Sequence, residues 1–357
     1  MNPKEVRVVS FNIMILDAKP WDISSPRIYE AYASLDNGDT LFVKYGRRTI
    51  KILGISLLLN DKPVFLKGVN WHCENSISGG AMSPKEIFMD LNLIKKAGAN
   101  FIRLSHYNRH PAVYEWADEN GLLVMDEVEN YWMKDYQLYY QTKEYGLGLA
   151  LAVCMAWNQM NHPSVIIWSV ANESETHTPL GIDAFKIMYS NIKKLDLHER
   201  PVTFASWGSQ KGWREESGAF NFVDIIAINE YFGFFYGKSK DLIDRLKELH
   251  MKYPSKLVLI SESGMWAIWG NHGDSSVVGT EEYQKEYFKE HWNIAVSFKD
   301  YLVGYTWLVF ADHLSRHQPN SAIPYVSTMG IVDRERRPKL IFYYFSQAEI
   351  PSYSYIH

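Results

Sequence analysis

Short apolar runs alternate with longer amphipathic segments along most of this chain, beginning near residue 60. A short apolar run bounded by turn residues is typical of a buried parallel strand, and the spacing of apolar positions between the runs is helical. Eight such runs predict an α/β fold, a (β/α)8 barrel, over residues 60–357. The runs are residues 64–72, 101–107, 122–128, 165–170, 201–206, 223–228, 257–261 and 302–310. The clearest helical segments are residues 84–97, 112–120, 181–195, 239–252 and 280–299.

Residues 1–59 have a different pattern, which predicts a separate β domain before the barrel. Short runs rich in β-branched and aromatic residues are separated by turn clusters such as Asp36-Asn-Gly-Asp39, as in antiparallel β structure. The runs are residues 6–11, 27–33, 41–45 and 49–53.

Composition and charge exclude several classes of protein. The formal net charge is −4 over 357 residues and no basic cluster is present, so we expect no nucleic-acid partner. No run of about 18 apolar residues occurs and the first residues do not resemble a signal peptide, so we expect no membrane partner. Cys73 and Cys154 are the two cysteines, which fits a reducing compartment. We therefore expect a cytoplasmic protein.

Two of the eight apolar runs are followed by a glutamate, and these positions are the main indication of chemistry. Residues 165–170 precede Asn172 and Glu173, and residues 257–261 precede Glu262. The carboxyl ends of barrel strands converge at the face where barrel enzymes have their active sites. Two carboxyl groups that meet in one site can act as an acid and a base, or as an acid and a nucleophile. The pattern therefore indicates an active site that contains Glu173 and Glu262.

Several segments strongly resemble motifs of family 2 glycoside hydrolases, in the order in which that family has them. Asn161-His-Pro163 before a strand and Asn172-Glu173 after it resemble the acid/base signature of the family. The branch that the chain resembles most is the β-glucuronidases, with the β-galactosidases next. Residues 21–29 resemble the late part of the immunoglobulin-like domain that precedes the barrel, so the resemblance implies a partial immunoglobulin-like β-sandwich at residues 1–59, without the N-terminal sugar-binding domain. The other matching segments are residues 65–72, 103–107, 116–121, 124–127, 307–312 and 330–339.

The resemblance implies that the chain is a retaining exo-β-glycosidase, which hydrolyses terminal β-linked sugars by double displacement and needs neither a cofactor nor a metal. Glu173 would be the acid/base and Glu262 the nucleophile. Asn172 would bind the 2-hydroxyl of the sugar, and Tyr231 would hydrogen-bond the nucleophile. Trp307 would lie behind the sugar ring.

Four further strand-end residues are candidates for the site. His72 and Glu74 are expected to contact sugar hydroxyls. Arg103 and His106 are expected to orient carboxylates rather than to react.

The sequence departs from the family pattern at positions that concern the substrate. Ser263 follows the predicted nucleophile where the family commonly has tyrosine, and Leu308 follows Trp307 where it often has asparagine. β-Glucuronidases resemble each other in an Asn-x-Lys pair that meets the substrate carboxylate, and this chain has Ser327 and Met329 there.

An unpaired carboxylate in a pocket is costly. We therefore expect a neutral sugar, unless Arg316 and His317, on the loop after Asp312, supply a substitute cation.

Two other classes of function remain open at this point. A carbohydrate-binding pseudoenzyme, or a truncated remnant with little turnover, would keep the barrel without efficient catalysis. A metal-dependent hydrolase would need a metal site, for which no HExxH or paired-cysteine spacing is present. We also expect self-association, because an incomplete sandwich leaves sheet edges that need covering.

Overall fold

Two small antiparallel sheets precede the barrel in the computed structural model, which describes residues 9–207, 218–316, 318 and 321–353. The first sheet is a hairpin of β1 (Tyr29–Ser34) and β2 (Thr40–Tyr45). The second consists of β3 (Ile50–Leu53), β4 (Ser56–Leu59) and β5 (Lys62–Pro63). Residues 6–8 lie outside the described residues, and residues 9–11 form no strand, so the strand predicted at residues 6–11 is wrong in its described part.

Eight parallel strands form a closed barrel, which confirms the predicted fold class. Each predicted apolar run coincides with most or all of one strand, because buried parallel strands need apolar residues on both faces. Around the barrel each strand pairs with the next one along the chain, and the last pairs with the first. The strands are β6 (Leu66–Asn70), β7 (Phe101–Arg103), β8 (Leu123–Glu127), β9 (Val165–Asn172), β10 (Val202–Trp207), β11 (Ile225–Asn229), β12 (Leu257–Ser263) and β13 (Leu302–Trp307).

Helices alternate with these strands, and the five predicted helices are all present. The first begins with a capping box, in which the Ser83 hydroxyl accepts from the Glu86 N–H and the Glu86 carboxylate accepts from the Ser83 N–H. Between β10 and β11, the described residues include a 3-10 turn, Gly218–Asn221. A π-helical segment, Tyr140–Glu144, follows the third α-helix directly. The α-helices are α1 (Pro84–Lys96), α2 (Pro111–Asn120), α3 (Asp135–Tyr139), α4 (Leu147–Asn158), α5 (Pro179–Leu195), α6 (Asp241–Lys252), α7 (Glu281–Ser297) and α8 (Leu340–Gln347).

The second small sheet packs against the end of the barrel where the strands begin. Leu57 and Leu59 of β4 belong to one buried cluster with Leu66 and Phe101 of the barrel strands. Trp21 is also fully buried, and its indole N–H donates to a carbonyl of α2 over 2.7 Å. The division between residues 59 and 60 falls inside this sheet and stays a prediction.

The opposite end of the barrel is covered by loops and by a short antiparallel pair, β14 (His313–Leu314) and β15 (Val326–Ser327). Within the described ranges, no helix combines the length and apolarity that crossing a membrane requires.

Candidate active site

Strand β9 carries the first candidate carboxylate to the mouth of the barrel. All of its residues are buried, and Glu173 follows it with a φ of 47°. This left-handed region is sparsely populated by residues with a side chain and costs on the order of 1–3 kcal/mol. The Glu173 N–H donates to the carbonyl of Ala205 on β10 over 2.9 Å, which holds the strained backbone in place.

Two hydrogen-bond donors hold the Glu173 carboxyl group. The amide of Asn229 donates to Oε1 over 2.9 Å, and the indole N–H of Trp132 donates to Oε2 over 2.6 Å. Burial and the nearby charge of Glu262 raise the pKa of Glu173 to about 7, although both hydrogen bonds oppose the rise. A large fraction of this carboxyl group is therefore protonated at neutral pH, as a proton donor requires.

Glu262 lies on β12 in a different environment. Arg103 donates from Nη1 to Oε1 over 2.6 Å, and the Tyr231 hydroxyl donates to Oε2 over 2.6 Å. Nε2 of His106 lies 3.9 Å from Oε1. Each carboxyl oxygen of Glu262 thus has its own donor, and one donor carries a charge, which makes the hydrogen bond stronger and shorter.

Arg103 hydrogen-bonds both to Glu262 on β12 and to Asn172, the residue before Glu173. Its side chain is fully buried, and its other nitrogens donate to Glu127 over 2.8–3.0 Å and to Oδ1 of Asn172 over 2.8 Å. Burial alone would lower the pKa of Arg103, but the charges of Glu127 and Glu262 raise it above its ordinary value. The guanidinium is therefore permanently charged and lies where an orienting role requires it.

Both glutamates line one cavity of about 1180 Å³ at the carboxyl ends of the strands. Aromatic rings and imidazoles make up much of its wall, as in many sites for small ligands. The lining residues include His72, His106, Tyr131, Trp132, Asn172, Glu173, Tyr231, Phe235, Glu262, Leu308, His313, Arg316, Ser327, Thr328 and Met329.

Three histidines lie along one side of this cavity. The ring of His72 stacks on that of His313 at 4.2 Å and meets that of His106 edge-on at 5.4 Å. Burial, reinforced by neighbouring positive groups, lowers the pKa of His72 well below its ordinary value. Burial also lowers the pKa of His313 to about 4. His72 and His313 are therefore neutral at physiological pH and can hydrogen-bond hydroxyl groups without offering a charge.

Three predicted site residues lie outside the lining of the cavity. Trp307 is fully buried, its indole N–H donates to the carbonyl of Met329 over 2.9 Å, and its ring packs against Phe288 of α7. Trp307 therefore does not line the cavity directly, and its place behind the sugar ring stays a prediction. Glu74 does not line the cavity and accepts from the Leu314 N–H over 2.9 Å, and the buried Arg103 donates to Glu262 from outside the lining. His317 lies outside the described residues.

Sequence reasoning missed several residues of the site. Asn229, Trp132 and His313 were not predicted, although Asn229 ends β11 and His313 begins β14, soon after β13. A search for every polar or aromatic residue within a few positions of a strand's carboxyl end would have found them. Within the described residues, no group of three or more metal-ligating side chains is arranged to hold an ion.

A closed (β/α)8 barrel with glutamates at the ends of its fourth and seventh strands defines the class as a barrel protein of the glycoside-hydrolase type. Residues 50–348 match the model of the TIM barrel domain of glycosyl hydrolases family 2, and the chain therefore belongs to this family. The resemblance noted in the sequence is thus confirmed.

The chain is similar in sequence to β-glucuronidases. That of Streptococcus agalactiae serotype V is 29% identical over 374 aligned positions, which cover 96% of this chain and 60% of that protein. The Homo sapiens β-glucuronidase is 30% identical over 301 positions, which cover 82% of this chain and 45% of that protein.

Solved structures that resemble this chain are also β-glucuronidases. The crystal structure of Ruminococcus gnavus β-glucuronidase has a TM-score of 0.85 at 28% identity and covers 93% of this chain and 58% of that chain. The Bifidobacterium dentium β-glucuronidase complexed with coumarin-3-O-glucuronide has a TM-score of 0.86 at 26% identity. The match covers 95% of this chain and 56% of that chain. The chain therefore spans 45–60% of the length of these relatives.

Proposed function

We propose that this chain is a retaining exo-β-glycosidase that works by double displacement. The proposal rests on the different environments of the two glutamates that line the cavity. Glu173 has a pKa raised to about 7, whereas Glu262 is held by the Arg103 guanidinium and the Tyr231 hydroxyl. Two carboxyl groups in one site with different environments suit an acid and a nucleophile.

The two steps assign complementary tasks to these groups. Glu262 attacks the anomeric carbon while Glu173 protonates the leaving oxygen, so that a glycosyl ester forms as the glycosidic bond breaks. Glu173, now ionised, removes a proton from water, and the resulting oxygen nucleophile displaces Glu262 and releases the sugar. Each step inverts the anomeric carbon, so the product keeps the β configuration.

Asn172 is suited to bind a hydroxyl next to the reacting carbon. Its Oδ1 accepts from Arg103 over 2.8 Å and from Asn229 over 3.0 Å. Both bonds use the carbonyl oxygen, so the amide NH2 group can donate to the sugar. A hydrogen bond to the 2-hydroxyl strengthens in the transition state of glycoside hydrolysis.

We further propose a neutral sugar as the preferred substrate. Ser327, Thr328 and Met329 line the cavity and offer no positive charge. Of the described lining residues, Arg316 alone is an arginine or lysine, and its exposed side chain lies 3.4 Å from the Tyr131 hydroxyl. A substrate carboxylate in this pocket would lose water without a buried cationic partner, which is unfavourable.

A panel of nitrophenyl β-glycosides tests the reaction and the sugar together. We expect turnover of one or more of the galactoside, glucoside, mannoside and fucoside, with weaker turnover of the glucuronide. A glucuronide preferred over every neutral sugar by 100-fold or more would overturn the proposed selectivity. In that case Arg316→Ala should remove the preference. Binding of sugars without turnover of any substrate would favour the pseudoenzyme.

Azide distinguishes the roles of the two glutamates. Glu173→Ala should slow substrates whose leaving group needs protonation by about 10²–10⁴-fold and spare a dinitrophenyl glycoside. Added azide should then yield a β-glycosyl azide, because it attacks the ester on Glu262. Glu262→Gln should abolish turnover. A β-glycosyl azide from Glu262→Ala, with no azide effect on Glu173→Ala, would reverse the assignment.

We also propose a cytoplasmic location. Cys73 and Cys154 are both free thiols, one buried and one exposed, which fits a reducing compartment. Fractionation of the source cells tests this, and recovery of the protein from an oxidising compartment would contradict it.

A further inference from the structure

A buried ion pair lies next to residues that line the cavity. Lys339, the N-cap residue of α8, is fully buried, and its Nζ lies 2.8 Å from Oδ1 of Asp312. The ammonium group also donates to the carbonyl of Thr328 over 2.9 Å and to that of Ala267 over 2.7 Å. Three acceptors match the three N–H bonds of an ammonium group, so the hydrogen bonds of this buried cation are complete.

The acceptors come from two connections between strands and helices of the barrel. Asp312 and Thr328 lie between β13 and α8, before β14 and after β15, and Ala267 lies between β12 and α7. The Ala267 N–H donates to the Thr328 carbonyl over 3.0 Å, so the ammonium binds where the two connections already meet. Such connections build the active sites of barrel enzymes. Lys339 therefore joins two of the segments from which the site is made.

The ion pair holds the backbone on both sides of one lining residue. Met329 lines the cavity. Lys339 binds the carbonyl of Thr328, the residue before it. Oδ1 of Asp312 accepts from the N–H of Gly330, the residue after it, over 2.8 Å. A Cβ at Gly330 would lie 2.6 Å from this oxygen, so the close approach requires a residue without a side chain.

The location of the pair gives its two charges a role other than stability. A buried ion pair loses water, and replacing it by apolar residues is often neutral or even stabilising. Charge-assisted hydrogen bonds are nevertheless shorter and stronger than neutral ones. Here they hold backbone groups beside the cavity, where a small displacement changes how a substrate is placed.

We propose that Lys339 and Asp312 are positioning residues that fix Thr328 and Met329 in the cavity wall and thereby set which neutral sugar is preferred. Neither member of the pair lines the cavity, so both act through these two lining residues. The inference rests on the proposed function, because it takes the cavity as the sugar site.

Removing both charges tests this role. Lys339→Leu combined with Asp312→Asn leaves neither charge buried alone, and the asparagine keeps an oxygen for the Gly330 N–H. We expect the ratio of kcat/KM between the best and the next-best neutral glycoside to change about fivefold or more, chiefly through KM. The basic limb of the pH profile, which belongs to Glu173, should stay in place. Asp312→Asn alone should change the ratio in the same direction by a smaller factor.

Lys67 of β6 provides a matched control. It is 2% exposed, it does not line the cavity, and its Nζ donates to the carbonyls of Phe345 over 2.9 Å and Ala348 over 2.7 Å. Lys67→Leu should lower the urea midpoint of unfolding, because buried carbonyls lose their donor, and leave the ratio between sugars unchanged. If the Lys339 and Asp312 variants lowered turnover of every glycoside by one factor, the pair would be only structural and the inference would be overturned.

A measurement without turnover separates this inference from the proposed function. Methionine labelled with ¹³C at the methyl group allows Met329 to be followed by NMR, with Met329→Leu to assign its signal. We expect this signal to move in Asp312→Asn and in the double variant, and not in Lys67→Leu. An unmoved signal would overturn the positioning role even in an active enzyme. A moved signal in a wild-type chain that turns over no glycoside would contradict the proposed function and retain the positioning of Met329.

Discussion

At the scale of single residues, the ionisation of Glu173 should govern the pH dependence of catalysis. Burial and the charge of Glu262 raise its pKa to about 7, and only the protonated form can donate to the leaving oxygen. We predict that kcat/KM for a nitrophenyl glycoside falls as pH rises through about 7. The pH profile of kcat/KM reports the free enzyme and therefore measures this group directly.

The Glu173→Ala variant is the control for this assignment. With a dinitrophenyl glycoside, which needs no proton, the variant should have no basic limb near pH 7. A basic limb that stayed in place would show that another group limits the rate.

The same ionisation should appear in the stability of the fold. The pKa of Glu173 is higher in the folded chain, about 7, than its ordinary value of 4.5. The folded state therefore retains a proton that the unfolded state loses, and the free energy of unfolding decreases as pH rises from about 4.5 to 7. Glu173→Gln should consequently be more stable than the wild type at pH 8, by about 1–3 kcal/mol, and not at pH 4. Urea unfolding at both pH values checks this, and an equal difference at both would contradict it.

At the scale of elements, the small sheet under the barrel should contribute to its stability. Leu57 of β4 is 1% exposed within the cluster that fills the base of the barrel. Leu57→Ala should lower the free energy of unfolding by about 2–5 kcal/mol, because it leaves a cavity in packed side chains. Leu53 of β3 is 70% exposed, so Leu53→Ala should change stability by less than about 0.5 kcal/mol.

Urea denaturation of both variants tests this contribution. A small effect of Leu57→Ala would mean that the sheet is a separate unit and would favour a domain boundary near residue 60.

The barrel could be predicted because its strands carry a strong local signal. β9 and β12 are mostly apolar, and burial on both faces of a parallel strand favours such a composition; Glu173 directly follows β9, and Glu262 is the penultimate residue of β12. The positions of Glu173 and Glu262 followed from these strand ends, since parallel strands finish at the same face of a barrel.

The direction of individual side chains could not be predicted in the same way. Successive residues of a strand face opposite sides, and the pairing of β12 with β13 changes register between Ile260 and Ser263. A shift of one residue decides whether a side chain faces the cavity or the helices. Trp307, at the end of β13, packs against Phe288 of α7. Trp132 reaches Glu173 from a loop 41 residues away in sequence, a contact without local signal.

At the scale of the whole molecule, the β1–β2 hairpin exposes several large apolar and aromatic side chains. Tyr32 is 67% exposed, Leu41 70% and Phe42 45%, and Tyr32 and Phe42 are paired across the two strands. A two-stranded hairpin is at best marginally stable in water. Contiguous exposed apolar side chains often mark an interaction surface.

We therefore predict that the chain self-associates through this hairpin. A second copy of the chain could cover the apolar side chains and the open strand edges of the hairpin, and so remove them from water. A symmetric dimer is the commonest such assembly. Light scattering should give a mass of at least twice 41.4 kDa at micromolar concentration.

Leu41→Lys should shift the chain toward monomer while activity is retained, because the hairpin lies outside the cavity lining. Leu197 is 87% exposed elsewhere on the surface, so Leu197→Lys should leave the mass unchanged. A wild-type chain that is monomeric throughout this concentration range would contradict the prediction.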